Sequence, residues 1–255
     1  MTVFQEPHLT VFKDSLSEGL LPDDLGGKSW SVFTNGLDGI DPDSFEPADT
    51  DKGKISRSEI FALAADDRIG TPTVCAAVFA WGGMNMTYHK ELFNQADAEW
   101  LKVANQLRYA ECSRQQAYDH LHCIRANAAL KGLGPAFYTK LIYFLTRRDR
   151  EDVHQGYIMD QWAACSINLL LGKPIVHLNC SMTAAKDPKP TTYNFTVSDL
   201  NSGLQYEVFC AAMDALIALD PDYSPDMIDR ALLGNGKNKK EISTWREHVT
   251  RNRIL

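Results

Sequence analysis

No two cysteines of this chain stand at C-x-x-C spacing. Its six, Cys75, Cys112, Cys123, Cys165, Cys180 and Cys210, are scattered. That excludes the closely spaced thiolates of an iron–sulfur cluster, and it predicts buried, reduced thiols and a cytoplasmic location. No apolar run reaches the roughly 18 residues that span a bilayer, so no membrane association is expected. The start, "MTVFQEPHLTVFKDS", has no basic segment followed by an apolar core, and no secretory leader is predicted. A Walker loop, a dinucleotide fingerprint and a G-x-S-x-G elbow are all missing. No segment recurs at a fixed period. Two clusters look like metal sites until their spacing is checked. "NGLDGIDPDSFEPADTDKGK" is acidic, but its acids and closing residue do not match a calcium loop. In "DHLHC" (Asp119, His120, His122, Cys123), His120 and Cys123 share a helical face while His122 points elsewhere, so no zinc set is expected.

What is present is an ordinary soluble composition, 44% hydrophobic and 23% charged over 255 residues, enough for one large or two small domains. The net charge of −7 is unevenly placed. Residues 1–54 hold four lysines against eleven acids, which accounts for all of it. The remainder is neutral and contains two basic segments. One carries Lys131, Lys140, Arg147, Arg148 and Arg150; the other carries Lys237, Lys239, Lys240, Arg246, Arg251 and Arg253. Local clusters of this kind, more than net charge, decide whether a face can meet phosphates.

Residues 1–56, rich in Asp, Gly and Pro, read as an irregular acidic segment. From residue 57 to 255 helical periodicity dominates. "SEIFALAADD", "TPTVCAAVFAW" (with Thr71 as N-cap and Pro72 at the first position), "QADAEWLKVANQLRYA", "SRQQAYDHLHCIRANAAL", "PAFYTKLIYFL", "MDQWAACSINLLLG", "SGLQYEVFCAAMDALIALD", "SPDMIDRALL" and "ISTWREHVTRN" are the predicted helices. "KPIVHLN" is a strand or an extended piece. The fold class is therefore mainly α with little β.

"LKGLGPAFYTKLIYFL" (Leu130 to Leu145) places a tight hairpin between two of these helices. Gly132 can take the positive φ of a C-terminal cap. Gly134 has no side chain to obstruct a close ligand. Pro135 suits a first helical turn. The second helix thus opens with backbone donors and a positive dipole end, a seat for a phosphate. Further on, Ile158-Met159-Asp160 leads into another helix.

The Gly-Leu-Gly hairpin followed by apolar-apolar-Asp resembles the signature of the helix-hairpin-helix DNA glycosylase superfamily, in particular its 8-oxoguanine DNA glycosylase-like branch. The resemblance covers residues 112–172. It implies a two-lobed helical fold in which Gly132, Leu133 and Gly134 hold one DNA phosphate through backbone amides, with a monovalent cation on hairpin carbonyls. It makes Asp160 the catalytic carboxylate. Breaking an N-glycosidic bond builds positive charge on the sugar, which such a carboxylate stabilises while a water attacks. Family members that also cut the strand keep a Lys where this chain has Ala136, so base removal without a Schiff base is expected. Lys140, one turn on, is a fallback candidate for that amine, so strand cleavage is not excluded. Tyr138 replaces a small packing residue. Lys131, Arg147 and Arg148 would neutralise phosphates, and Trp81, Tyr88, Tyr157 and Trp162, with Phe209, are aromatic walls for a flipped base. "WGGMNMTYHK" also offers Asn85 and His89 at a bend. The expected partner is double-stranded DNA, and the expected state a monomer. A non-catalytic DNA-binding module and a helical partner-binding domain are the alternatives.

Overall fold

The computed structural model of the chain describes residues 2–17, 27–35, 37, 39–40, 45–48, 53–95, 98–127, 130–150, 152–183, 192–233 and 242–254. Most of the acidic loop 41–52 and the lysines at 237–240 lie outside them. Among the described residues the protein is mainly helical, with twelve helices and one two-stranded sheet. It forms two compact units, one made of Met1–Leu21 with Ile158–Leu255, the other of Pro22–Tyr157.

The unit Pro22–Tyr157 contains α2 (Trp30–Thr34), α3 (Arg57–Ala65), α4 (Thr71–Trp81), α5 (Met86–Phe93), α6 (Glu99–Arg108), α7 (Arg114–Ala126) and α8 (Pro135–Leu145). Its centre is α4, where every residue from Thr73 to Trp81 is buried; a helix apolar on all sides can only be a core helix. Gly70, and not Thr71, is its N-cap, because Thr71 turns its hydroxyl to Asn105 on α6. Arg108 is fully buried. Its guanidinium donates to the carbonyls of Leu63, Ala64, Asp66 and Ile69. It thereby satisfies oxygens that the end of α3 leaves without helical partners. Arg57 is likewise buried, between Trp81 and Tyr143, and donates to the Tyr143 hydroxyl at 2.8 Å.

The other unit contains α1 (Glu6–Ser17), α9 (Gln161–Leu171), β1 (Leu178–Thr183), β2 (Thr192–Val197), α10 (Gly203–Ile217), α11 (Pro225–Leu233) and α12 (Thr244–Asn252). The strands pair antiparallel, Leu178 opposite Val197. Here α9 is the core helix, buried from Ala163 to Leu171. Trp245 of α12 packs edge-on against Phe12 of α1 and donates its indole N–H to Ser166 of α9. Asn168 brackets Val176, donating to its carbonyl and accepting from its amide, both at 2.9 Å.

Two expectations change. Segment 1–56 includes two helices. Leu9, Phe12 and Leu16 of α1 form an apolar stripe that its acidic neighbours obscure. "KPIVHLN" runs into β1 through Leu178 and Asn179, as a strand or extended piece should, and the mate of that strand, "TYNFTV", alternates apolar and polar residues. Helix α7 ends at Ala126, several residues before Leu130. Of the six cysteines, Cys75, Cys165 and Cys210 are buried, Cys112 is half-buried, and Cys123 and Cys180 are exposed. Among the described residues no helix is long and apolar enough to cross a membrane, and no group of three or more His, Cys, Asp or Glu could hold a metal ion.

Candidate functional site

The hairpin belongs to the unit Pro22–Tyr157. Gly132 has φ +80°, the left-handed region, and a Cβ there would overlap the Cβ and ring of Tyr88 on α5. Glycine is thus required both for conformation and for space. Leu130 and Leu133 are buried and pin the hairpin to the core. Gly134 is the N-cap of α8 and Pro135 its first residue, and no side chain caps this end. The Gly134 carbonyl accepts from Phe137 N at 2.8 Å and Tyr138 N at 3.1 Å. Tyr138 is buried edge-on against Tyr118, which accounts for a large residue at this position. Lys140 folds back along α8. Its Nζ donates to the Ala136 carbonyl at 2.8 Å and lies 5.2 Å from the Phe137 ring centre. The Lys140 amine is therefore engaged on the backbone of its own helix.

A monovalent cation does not fit this hairpin. The Leu130 carbonyl already accepts from Nη1 of Arg125, at 3.2 Å. The guanidinium carbon lies 3.7 Å from where a Gly134 Cβ would stand.

The carboxylate belongs to the other unit. Ile158 and Met159 are buried and fix the entry to α9. Asp160 caps that helix: Oδ1 accepts from Trp162 N at 2.8 Å and Ala163 N at 3.0 Å. Among the described residues Oδ2 accepts no hydrogen bond. One oxygen is thus structural, and the other remains open to chemistry. The first turn of α9 then forms the wall of a cavity of about 350 Å3 through Gln161, Trp162 and Cys165. Asn194 and Phe195 of β2 and Thr250 and Arg253 at the end of α12 complete it. Gln161 ties two walls together, accepting from the Trp162 indole N–H at 3.0 Å and donating to the Phe195 carbonyl. Arg246 stacks 3.9 Å above the Trp162 ring and Arg253 lies 4.3 Å above Phe195. Burial lowers the Arg246 pKa, and the negative charge of Asp160 opposes that shift. Burial pushes the Cys165 thiol up to about 11, so it is protonated at neutral pH and is no nucleophile.

The structure distributes the sequence-predicted residues unevenly. Trp162 lines the cavity, of which Asp160 itself is not a wall residue. Tyr88 is exposed and covers Gly132. Trp81, Tyr157 and Phe209 are buried core residues. His89 is fully buried against Phe33, Phe79 and Phe93, its Nε2 at 2.8 Å from the Phe33 carbonyl, while Asn85 caps α5. Lys131 is exposed. Arg147 pairs with Asp149 and Asp67, and Arg148 stacks 3.6 Å above Phe61. Sequence reasoning did not single out Gln161, Asn194, Phe195 or Thr250 and noted Arg246 and Arg253 only for their charge. Their one signal is the i, i+4, i+7 spacing of Arg246, Thr250 and Arg253, which sets them on one helical face.

The hairpin opens α8 in one unit, and Asp160 caps α9 in the other. The family model described as "Putative 8-oxoguanine DNA glycosylase OGG-like protein" matches residues 27–233, and the chain belongs to that family. The matched range holds both the hairpin and Asp160 and stops short of α12. No curated protein and no solved structure matches the chain.

Proposed function

We propose that this protein hydrolyses the N-glycosidic bond of a damaged or modified base in double-stranded DNA and leaves an abasic site. The observation that carries the reading is the division of labour in Asp160: Oδ1 is spent on two amides of α9, and Oδ2 accepts no bond. The cap orients the carboxylate and, at the positive end of the helix, favours its ionised form. Oδ2 then stabilises positive charge growing on the sugar and accepts the proton of the attacking water. The base, rotated out of the duplex, enters the cavity walled by the first turn of the helix that Asp160 caps, whose volume suits a small-molecule site. The hairpin acts as a helix-hairpin-helix element. Its amides and the uncapped start of α8 seat one phosphate, with Lys131 adding charge. Arg147 and Arg148 join only by leaving Asp149 and Phe61.

Removal of the base proceeds without strand cleavage, since Ala136 offers no amine and Lys140 is engaged on the Ala136 carbonyl. The protein acts as a monomer. The family's description points to an oxidised purine. Hypermodified viral DNA tests a defensive role in place of repair.

The experiment is a panel of duplexes carrying oxidised, alkylated and hypermodified bases, incubated with protein and then treated with alkali. Strand breaks should require the alkali. Borohydride should trap no covalent complex. Asp160→Asn should lose activity by at least about 100-fold. If no substrate yields abasic sites, or if Asp160→Asn keeps full activity, the reading fails.

A further inference from the structure

We propose that Arg125 is the hairpin's own cation, occupying the position in which a monovalent metal ion would otherwise bridge hairpin carbonyls. The inference rests on the DNA-binding reading for its purpose, though not for its geometry. Arg125 stands in the last turn of α7, and its side chain crosses the hairpin to donate to the Leu130 carbonyl at 3.2 Å. The guanidinium carbon and both terminal nitrogens lie 3.7 to 3.9 Å from the Cβ position of Gly134. The plane of the guanidinium therefore rests against the residue that caps α8.

Two consequences follow from charge and space. A metal ion taking the Leu130 oxygen would have to displace the donor already on it and would stand within a few ångströms of a like charge. An arginine remains protonated at any physiological pH, so the positive charge at the start of α8 is permanent and covalently tethered. It adds to the dipole of α8 in attracting an anion. Phosphate binding at this hairpin then needs no particular salt.

Two measurements test this on the full chain. In the first, thallium(I), a heavy stand-in for potassium, is soaked into crystals of the free protein and located by anomalous scattering. No thallium should lie on the Leu130 carbonyl of the wild type, and a site should appear there in Arg125→Ala. In the second, duplex DNA binding is followed by fluorescence anisotropy in potassium chloride and in tetramethylammonium chloride at equal ionic strength. Wild-type affinity should be the same in both salts. Arg125→Ala should bind about tenfold more weakly in tetramethylammonium, the value of one charge-assisted contact, and recover in potassium. Thallium on the wild-type carbonyl, wild-type binding that depends on potassium, or a variant that gains no thallium would each overturn the proposal. Failure of the wild type to bind DNA in either salt would sink the glycosylase reading, while the thallium result would still decide the role of Arg125.

Discussion

The two glycines of the hairpin should respond to substitution in opposite ways. At Gly132, φ is +80° and a Cβ would stand 2.5 Å from the Cβ of Tyr88, an atom that cannot swing aside because α5 holds it. Gly132→Ala should therefore cost about 2–5 kcal/mol, combining left-handed strain of about 1–2 with overpacking of about 1–3. In a chain of this size that lowers Tm by about 5–20 °C. Gly134 has φ −89° and ψ −179°, which any residue adopts. A Cβ there would make only ordinary contact with Arg125, and a serine is a preferred N-cap. Gly134→Ser should change stability by less than about 0.5 kcal/mol or raise it. Its hydroxyl, however, would take the amides that the phosphate is to use, so DNA binding should fall while the fold stands. Thermal and urea unfolding by tryptophan fluorescence reads the first effect and DNA anisotropy the second. Trp30, Trp81 and Trp100 report on the unit that contains the hairpin. Equal destabilisation by the two substitutions, or a loss below about 1 kcal/mol for Gly132→Ala, would refute the conformational argument.

Other outcomes follow from the same geometry. Asp160→Asn keeps an oxygen for the Trp162 and Ala163 amides and should leave stability nearly unchanged, whereas Asp160→Ala should cost about 1 kcal/mol for the lost cap; both should lack base excision. Burial lowers the pKa of His89, and burial with the neighbouring His8 lowers that of His248. The unfolded chain therefore binds protons that the folded chain refuses as pH falls below about 6.5. Tm should be flat from that pH to about 8, where the buried thiols begin to weigh against the fold, and should decline beneath it, less steeply in His248→Gln. With a thiol reagent at pH 8, Cys123 and Cys180 should react at once, and Cys75, Cys165 and Cys210 only after unfolding.

The parts of the site that were legible in the sequence are local ones. A positive φ at Gly132, a helix opening at Pro135 and a capping Asp160 each depend on a few adjacent residues, and the chemistry of Gly, Pro and Asp announces them. The cavity was not legible. Its walls come from α9, β2 and α12, segments tens of residues apart, and nothing in the text of one predicts the face of another. Aromatic type was no guide either: Trp81 and Trp162 look alike in sequence, yet one is a core residue beneath Arg57 and the other lines the cavity. Residues 6–17 were misread because acidic and polar neighbours masked the spacing of Leu9, Phe12 and Leu16, whose partners lie in α9 and α12.

That last arrangement bears on how the protein is made. The unit holding Asp160 is assembled from the first and last portions of the chain, with the whole hairpin unit encoded between them. On a ribosome, Pro22–Tyr157 emerges complete while α1 waits for helices not yet translated. At about 5–20 residues per second the delay until both partner helices are made is roughly 10 to 50 s. For that interval Leu9, Phe12 and Leu16 have no core to enter, and the nascent chain presents a sticky segment. The carboxylate-bearing half is thus the last to become native.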